Sequence, residues 1–261
     1  MYDRVAVAVL DTGISTVAID PQWVLAGQNY ADPKNDTQDR LNHGTAVAGI
    51  LAGCESAGIQ ANAGPCYLLP LVVVDRDCDP VSPETLAQAV RDAVDRYGAD
   101  IINLSLGIQE DTAALAEAVA YAEAQGVLVV AAVGNSGDSD IIYYPAACET
   151  VLAVGSHDRN GIVSRFSQKN GTADLLAPGE DVWFAARDGG ILGDRGTSYA
   201  TGYVSAAAVH LLTARPDLTP AELRQILTAT ARDIGEPGWD SETGWGILDL
   251  EAALEYVAAE Q

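Results

Sequence analysis

The sequence predicts an α/β fold, a three-layer sandwich in which a mainly parallel central sheet carries helices on both faces. Three observations lead there. Short apolar runs rich in Val, Ile and Leu recur along the chain without polar alternation, as strands buried on both faces do. Segments of helical period, bounded by capping residues, lie between them. The order strand, helix, strand implies right-handed crossovers beneath one sheet.

Taken along the chain, Val5 to Leu10 reads as the first strand, Leu68 to Val74 as the next, and Ile101 to Leu106, Val127 to Val133 and Val151 to Val154 as the rest. A helix opens at Ser82-Pro83, where a hydroxyl caps and proline suits the first turn. Leu86, Val90, Ala93, Val94 and Tyr97 form its apolar face and Gly98 ends it. Leu115, Ala118, Val119 and Ala122 repeat the pattern before Gly126. Thr197 to Leu212 is a long alanine-rich helix, Thr219-Pro220 opens another, and a last one begins near Asp249. The Gly- and Trp-rich segment from Gly235 to Gly246 reads as a surface excursion. No linker or repeat divides the chain, so one domain over 1–261 is expected.

Net charge is −23, from 37 acidic and 14 basic residues, a field that repels phosphate backbones and argues against nucleic-acid binding. No apolar run approaches the roughly 18 residues of a membrane span. Met1-Tyr2-Asp3-Arg4 passes straight into the first strand, with no secretion signal read there. Compartment and oligomeric state stay open. Cys54, Cys66, Cys78 and Cys148 fit no compact zinc spacing. If a disulfide forms, Cys54 and Cys66, which flank one loop, are the expected pair.

Open parallel sheets bind ligands at the carboxyl ends of their strands. Asp11 stands there, at the end of the first strand, before the turn Thr12-Gly13. His43 opens the run His43-Gly44-Thr45-Ala46-Val47-Ala48-Gly49, a helix start that would hold an imidazole rigidly with its ring free for proton transfer. His157 reads as a loop residue and His210 as a helix-surface or packing residue. Ser198 sits where the alanine-rich helix begins, so its hydroxyl and amide both lie at a positive helix end. A serine hydroxyl needs a base to take its proton and a carboxylate to orient that base, and the chain offers one of each. Asn135, in Gly134-Asn135-Ser136-Gly137 after a strand, puts a side-chain amide at the same sheet edge for a developing oxyanion.

In this order, the segments Val9 to Ile14, His43 to Gly49, Asn103-Leu104-Ser105-Leu106-Gly107, Ala131 to Asn135, Leu176 to Gly179 and Gly196-Thr197-Ser198 resemble the subtilisin-like serine proteases, as does Gly244 to Asp249 near the end. The resemblance spans essentially the whole chain. It implies a serine endopeptidase in which Ser198 attacks the scissile carbonyl, His43 moves the proton, Asp11 fixes the imidazole, and Asn135 with the Ser198 amide holds the oxyanion. It also implies that substrate lies extended beside Ser105, Leu106 and Gly107, with Ala132, Val133 and Gly134 as the other wall of the first specificity pocket. Tyr144-Pro145 falls where the family's peptide bond is cis, and Tyr143 where the pocket floor is usually small, which predicts a shallow pocket. Asp77 and Asp79 fall in the loop bordering more distant subsites, where they would favour basic residues upstream of the cut.

Three residues depart from the family pattern: Ala46 stands where the family commonly has another His, Tyr199 replaces a Met after the nucleophile, and Gly202 replaces a Pro, which bears on how firmly Ser198 is held. No cofactor is required. The resemblance suggests a structural calcium at Asp20 and the loop 54–60, but hard cations want six or more oxygens and few donors are in sight. The expected partner is a polypeptide or peptide, with no nucleic acid and no membrane. The alternatives are a dedicated leader-removing protease of narrow specificity and, from another class, an inactive peptide-binding pseudoprotease; the latter would lack a triad member, and none is missing.

Overall fold

In a computed structural model, residues 3–137 and 140–259 are described; Met1 and Tyr2, part of the stretch in which no secretion signal is read, lie outside them. Strand β1 (Ala6–Asp11) is followed by the short β2 (Gln28–Asn29), helix α1 (His43–Ala52) and β3 (Tyr67–Val72). Then come α2 (Pro83–Asp95), β4 (Ile101–Leu104), α3 (Ala113–Ala124), β5 (Leu128–Ala132), β6 (Val151–His157) and β7 (Leu175–Pro178). A hairpin of β8 (Val182–Ala185) and β9 (Ile191–Asp194) leads into α4 (Thr197–Ala214), α5 (Pro220–Ala229) and α6 (Leu250–Ala259).

Strands β1 to β7 form one sheet in the order β2-β3-β1-β4-β5-β6-β7, every neighbouring pair parallel. From β1 the chain winds to one side through β2 and β3, then crosses to the other side at β4. The carboxyl end of β1 therefore lies at the point where the winding reverses and a crevice opens.

Strand alternation divides the core into the two faces of a sandwich. Val7 and Val9 of β1 join a cluster with Val47, Ala48 and Leu51 of α1 and with α4, α5 and α6. Ala8 and Leu10 join the other cluster, with Leu86 and Val90 of α2 and Leu115 and Val119 of α3. A smaller cluster of Ala46, Ile50, Val182, Phe184 and Tyr199 joins the β8–β9 hairpin to α1 and α4.

Helix starts follow the chemistry expected of them. The Ser82 hydroxyl accepts from the Thr85 amide at 3.3 Å, and Thr219 and Glu222 form a reciprocal capping box at α5. Gly202 lies inside α4, where an added Cβ would meet Ile50 at 3.3 Å; the missing side chain lets α1 and α4 approach closely.

Two expectations are corrected. Cys54 and Cys66 are both free and buried: the Cys54 sulfur lies 3.2 Å from the Ser56 hydroxyl, and burial pushes the Cys66 thiol up to about 12. His157 is not a loop residue but the last of β6, buried because the strand runs three residues further than its apolar run. Among the described residues no helix is long and apolar enough to cross a membrane.

Candidate active site

Each chemically competent residue sits where a strand ends or a helix begins. Asp11 ends β1 and is buried, with 1% of its surface exposed. Its Oδ1 accepts the Thr12 amide at 2.7 Å, and its two oxygens lie 2.8 and 2.9 Å from His43 Nδ1. Nδ1 thus carries the proton toward the carboxylate, which leaves Nε2 free to act as a base. His43 is the first residue of α1, and about a third (35%) of its side chain is accessible. Burial by itself would lower the His43 pKa. The Asp11 charge and hydrogen bond, joined by the charges of Asp39 and Asp194, overcome that and raise it above 6.5.

The junction between β1 and α1 is held by a residue that the sequence does not single out. Asp39 is buried and accepts from the Thr12 hydroxyl (2.8 Å), the amides of Leu41 (2.8 Å), Asn42 (3.0 Å) and Thr45 (2.8 Å), and the Thr45 hydroxyl (2.6 Å). The Thr12 hydroxyl accepts in turn from the Gly44 amide at 2.9 Å. Gly44 must be glycine, since a Cβ there would stand 2.2 Å from the Gly13 carbonyl. These bonds lock the turn after Asp11 to the helix that starts at His43. The only signal in the sequence is an aspartate four residues ahead of a histidine at a helix start, which is weak alone.

Ser198 is the second residue of α4, so its amide is among those that no helical carbonyl can satisfy. Its hydroxyl donates to the Ser105 carbonyl at 2.9 Å, and the Ser105 hydroxyl donates to the Ser198 carbonyl at 2.8 Å. Behind this exchange Asn103, fully buried, donates to the Ser105 hydroxyl at 2.9 Å and accepts from Ser205 at 2.9 Å. Asn103 belongs to a segment that resembles the family, yet the sequence alone assigns it no role. It is the polar residue inside an otherwise apolar strand, and these partners come from α4 and the end of β4.

Asn135 follows β5. Its Oδ1 accepts the Thr197 amide at 2.9 Å and the Thr197 hydroxyl at 3.0 Å, an anchoring that leaves the Nδ2 donors for another acceptor. Asn135, Thr197 and Ser198 line a cleft of about 250 Å³ with Ser105, Leu106, Gly107, Ala132, Gly134, Ser136 and Tyr143. Val133 is corrected: strand alternation turns its side chain away into the core beside α2 and α3. Tyr143 closes the cleft. A Cβ on Gly107 would meet its side chain at 2.9 Å and one on Gly134, whose φ is +105°, at 2.4 Å, and its hydroxyl bonds that of Ser136 at 2.8 Å. The Tyr144-Pro145 peptide is cis.

Asp77 lines a separate cleft of about 210 Å³ with Thr12, Asp32, Asp36, Arg40 and Asp75 among others, and Asp79 lies just beyond it. The Asp75 carboxylate shapes that loop by accepting the amides of Asp77 (2.8 Å) and Asp79 (3.0 Å). Asp20 directs its two carboxylate oxygens to the backbone and side-chain amides of Gln22. Among the described residues no three His, Cys, Asp or Glu lie together as a metal site. His210, on α4, binds the Asn62 carbonyl at 2.9 Å, a packing role as expected.

A parallel sheet whose carboxyl edge gathers a carboxylate–imidazole pair, a serine at a helix start and an anchored asparagine defines a class, the α/β serine hydrolases. Comparison with known proteins narrows it. The model of the subtilase family, Peptidase_S8, matches residues 3–246. Subtilisin BL of Lederbergia lenta is 36% identical over 251 residues, 95% of this chain and 90% of that protein. The protease domain of PatA superposes with a TM-score of 0.83 at 30% identity, covering 98% of this chain and 96% of the other. PagA, a prenylagaramide maturation protease, does so with 0.81 at 30% identity, covering 97% and 94%. The chain belongs to the subtilase family and is a subtilisin-like serine endopeptidase.

Proposed function

We propose that this endopeptidase cleaves through an acyl-enzyme formed on Ser198, with His43 as general base and then acid, Asp11 as its orienting carboxylate, and Asn135 Nδ2 with the Ser198 amide as oxyanion donors. The observation that carries the reading is the pairing of His43 Nδ1 with both oxygens of buried Asp11, at 2.8 and 2.9 Å. In the free enzyme the Ser198 hydroxyl rests on the Ser105 carbonyl. A substrate strand laid beside Ser105 to Gly107 brings its own main-chain N–H to that carbonyl and turns the hydroxyl to His43 Nε2, in keeping with catalytic hydrogen bonds that form only in the substrate complex. The acyl side of the substrate ends in the cleft that Tyr143 closes, so a small residue precedes the cut. Asp77 and Asp79 border the sites further upstream, where they favour basic residues.

A second reading, a dedicated protease that removes a leader from one precursor, draws support from the narrow cleft and the likeness to PagA. Clearing of casein against selective cutting of a single precursor separates the two. For the mechanism, the folded protein is incubated with a fluorophosphonate and the adduct located by peptide mass spectrometry, with Ser198→Ala as control. Labelling confined to Ser198 is expected; a folded protein that takes no label there overturns the reading.

A further inference from the structure

The β8–β9 hairpin spans the two helix starts of the site, its last residue Asp194 standing four positions before Ser198. Its tip is tied to the start of α1 by the Arg187 amide, which donates to the Asn42 side chain at 2.9 Å, one residue before His43. The acyl cleft opens on the other side of Ser198, between Ser105–Gly107 and Ala132–Asn135. A peptide filling that cleft, with its departing nitrogen over His43, continues along the hairpin.

At the end of β9 nearest Ser198 stands Asp194, and its carboxylate is held in place. One oxygen accepts from the Tyr199 hydroxyl at 3.1 Å and the other from the Arg195 amide at 2.8 Å. Tyr199 is itself fixed: its ring stacks on Phe184 with centroids 5.0 Å apart and lies 6.0 Å from the His43 ring. The register pairs Asp194 with Val182, and its exposed carboxylate is open to solvent while the Tyr199 hydroxyl holds it beside the start of α4.

No cation of the protein neutralises it among the described residues. The Arg195 guanidinium is turned onto the Phe166 ring, 5.8 Å from its centroid. Arg40 is paired with Asp36 at 2.8 Å, and Arg187 stands beyond the opposite end of β9. The Asp194 charge also reaches His43, where it helps to hold the imidazolium.

The geometry points to Asp194 as a specificity-determining residue that selects substrates with a lysine or arginine in the first two residues after the cut, with Tyr199 as the residue that positions it. This rests on the Ser198 mechanism for the direction in which the peptide runs. It also explains the departure at Tyr199, where the ring that replaces the family's methionine brings a hydroxyl to Asp194 that a thioether could not supply.

The test compares two fluorogenic peptides that differ only in Arg or Gln directly after the cut, in wild type and in Asp194→Asn, which keeps an oxygen for the Tyr199 hydroxyl. For an exposed carboxylate the kcat/KM ratio of Arg to Gln should fall by about two- to fivefold in the variant. The wild-type preference should shrink between low and high salt while the variant's ratio stays flat. Tyr199→Phe, which frees the carboxylate without removing its charge, should lose part of the preference. A ratio that is the same in wild type and Asp194→Asn at low salt overturns the proposal. Because the readout is a ratio between peptides, it stands apart from the labelling of Ser198, whose failure would instead overturn the mechanism.

Discussion

If Tyr143 floors the first specificity pocket as proposed, replacing it by alanine should let the enzyme accept aromatic residues before the cut. The Tyr143 ring lies where side chains on Gly107 and Gly134 would collide with it, so it occupies the gap between the two walls of the cleft. Its removal opens a slot as deep as a benzene ring between the Gly107 and Gly134 walls. Burying a phenylalanine side chain in such a slot contributes roughly 1.5–3 kcal/mol. With about 1.4 kcal/mol per factor of ten, kcat/KM for a peptide with Phe before the cut should rise roughly 10- to 100-fold relative to its Ala counterpart. The assay is the pair of kcat/KM values for chromogenic peptides differing only at that residue, with a thermal melt to confirm that loss of the Ser136 hydrogen bond has not unfolded the variant. A Phe-to-Ala ratio equal to that of wild type, in a folded and active variant, would refute the assignment of Tyr143 to the pocket floor.

Asp39→Asn should destabilise the fold by about 3 kcal/mol in urea titration, because the amide that replaces one oxygen cannot accept from both donors of Thr45 and hydrogen bonds to a buried charge are worth about 1.5–3 kcal/mol each. A loss below about 1 kcal/mol would mean that the junction of β1 and α1 is held in some other way. The base must be neutral to act, and the Asp11 charge outweighs burial at His43, so the acid limb of the kcat/KM profile should have its midpoint above 6.5. A midpoint at or below 6.5 would contradict that balance. His157 acts on stability with the opposite sign. Burial lowers its pKa below 6.5, and its Nε2 is buried with no hydrogen-bond partner among the described residues. The unfolded chain therefore binds a proton that the folded one resists, and stability falls as pH drops from 6.5 toward the folded value. His157→Gln should lose less Tm than wild type between pH 7.5 and 5, and equal losses would count against the reading.

Local chemistry carried much of this structure. The apolar runs, the caps at Ser82 and Thr219 and the alanine-rich stretch before Leu212 fix their conformations through neighbours a few residues away, so strands, helices and the sandwich could be read directly from the chain. The order of Asp11, His43, Asn135 and Ser198, each beside a strand end or helix start, was legible for the same reason. What could not be read depends on contacts between distant segments. The short β2, β7 and the β8–β9 hairpin have too little apolar periodicity to announce themselves. Val133 looks like pocket wall until alternation in the folded sheet turns it to the core, and the spacing of Cys54 and Cys66 says nothing of how their side chains point once buried. Asp39 is an ordinary loop aspartate until Thr12 and Thr45 close around it, and Asp194 until Tyr199 reaches it and Arg195 turns away. Backbone preference is set by near neighbours and is written in the sequence; the partner a buried or site-facing polar group finds is set by which segments the fold brings together, and only the tertiary structure decides that.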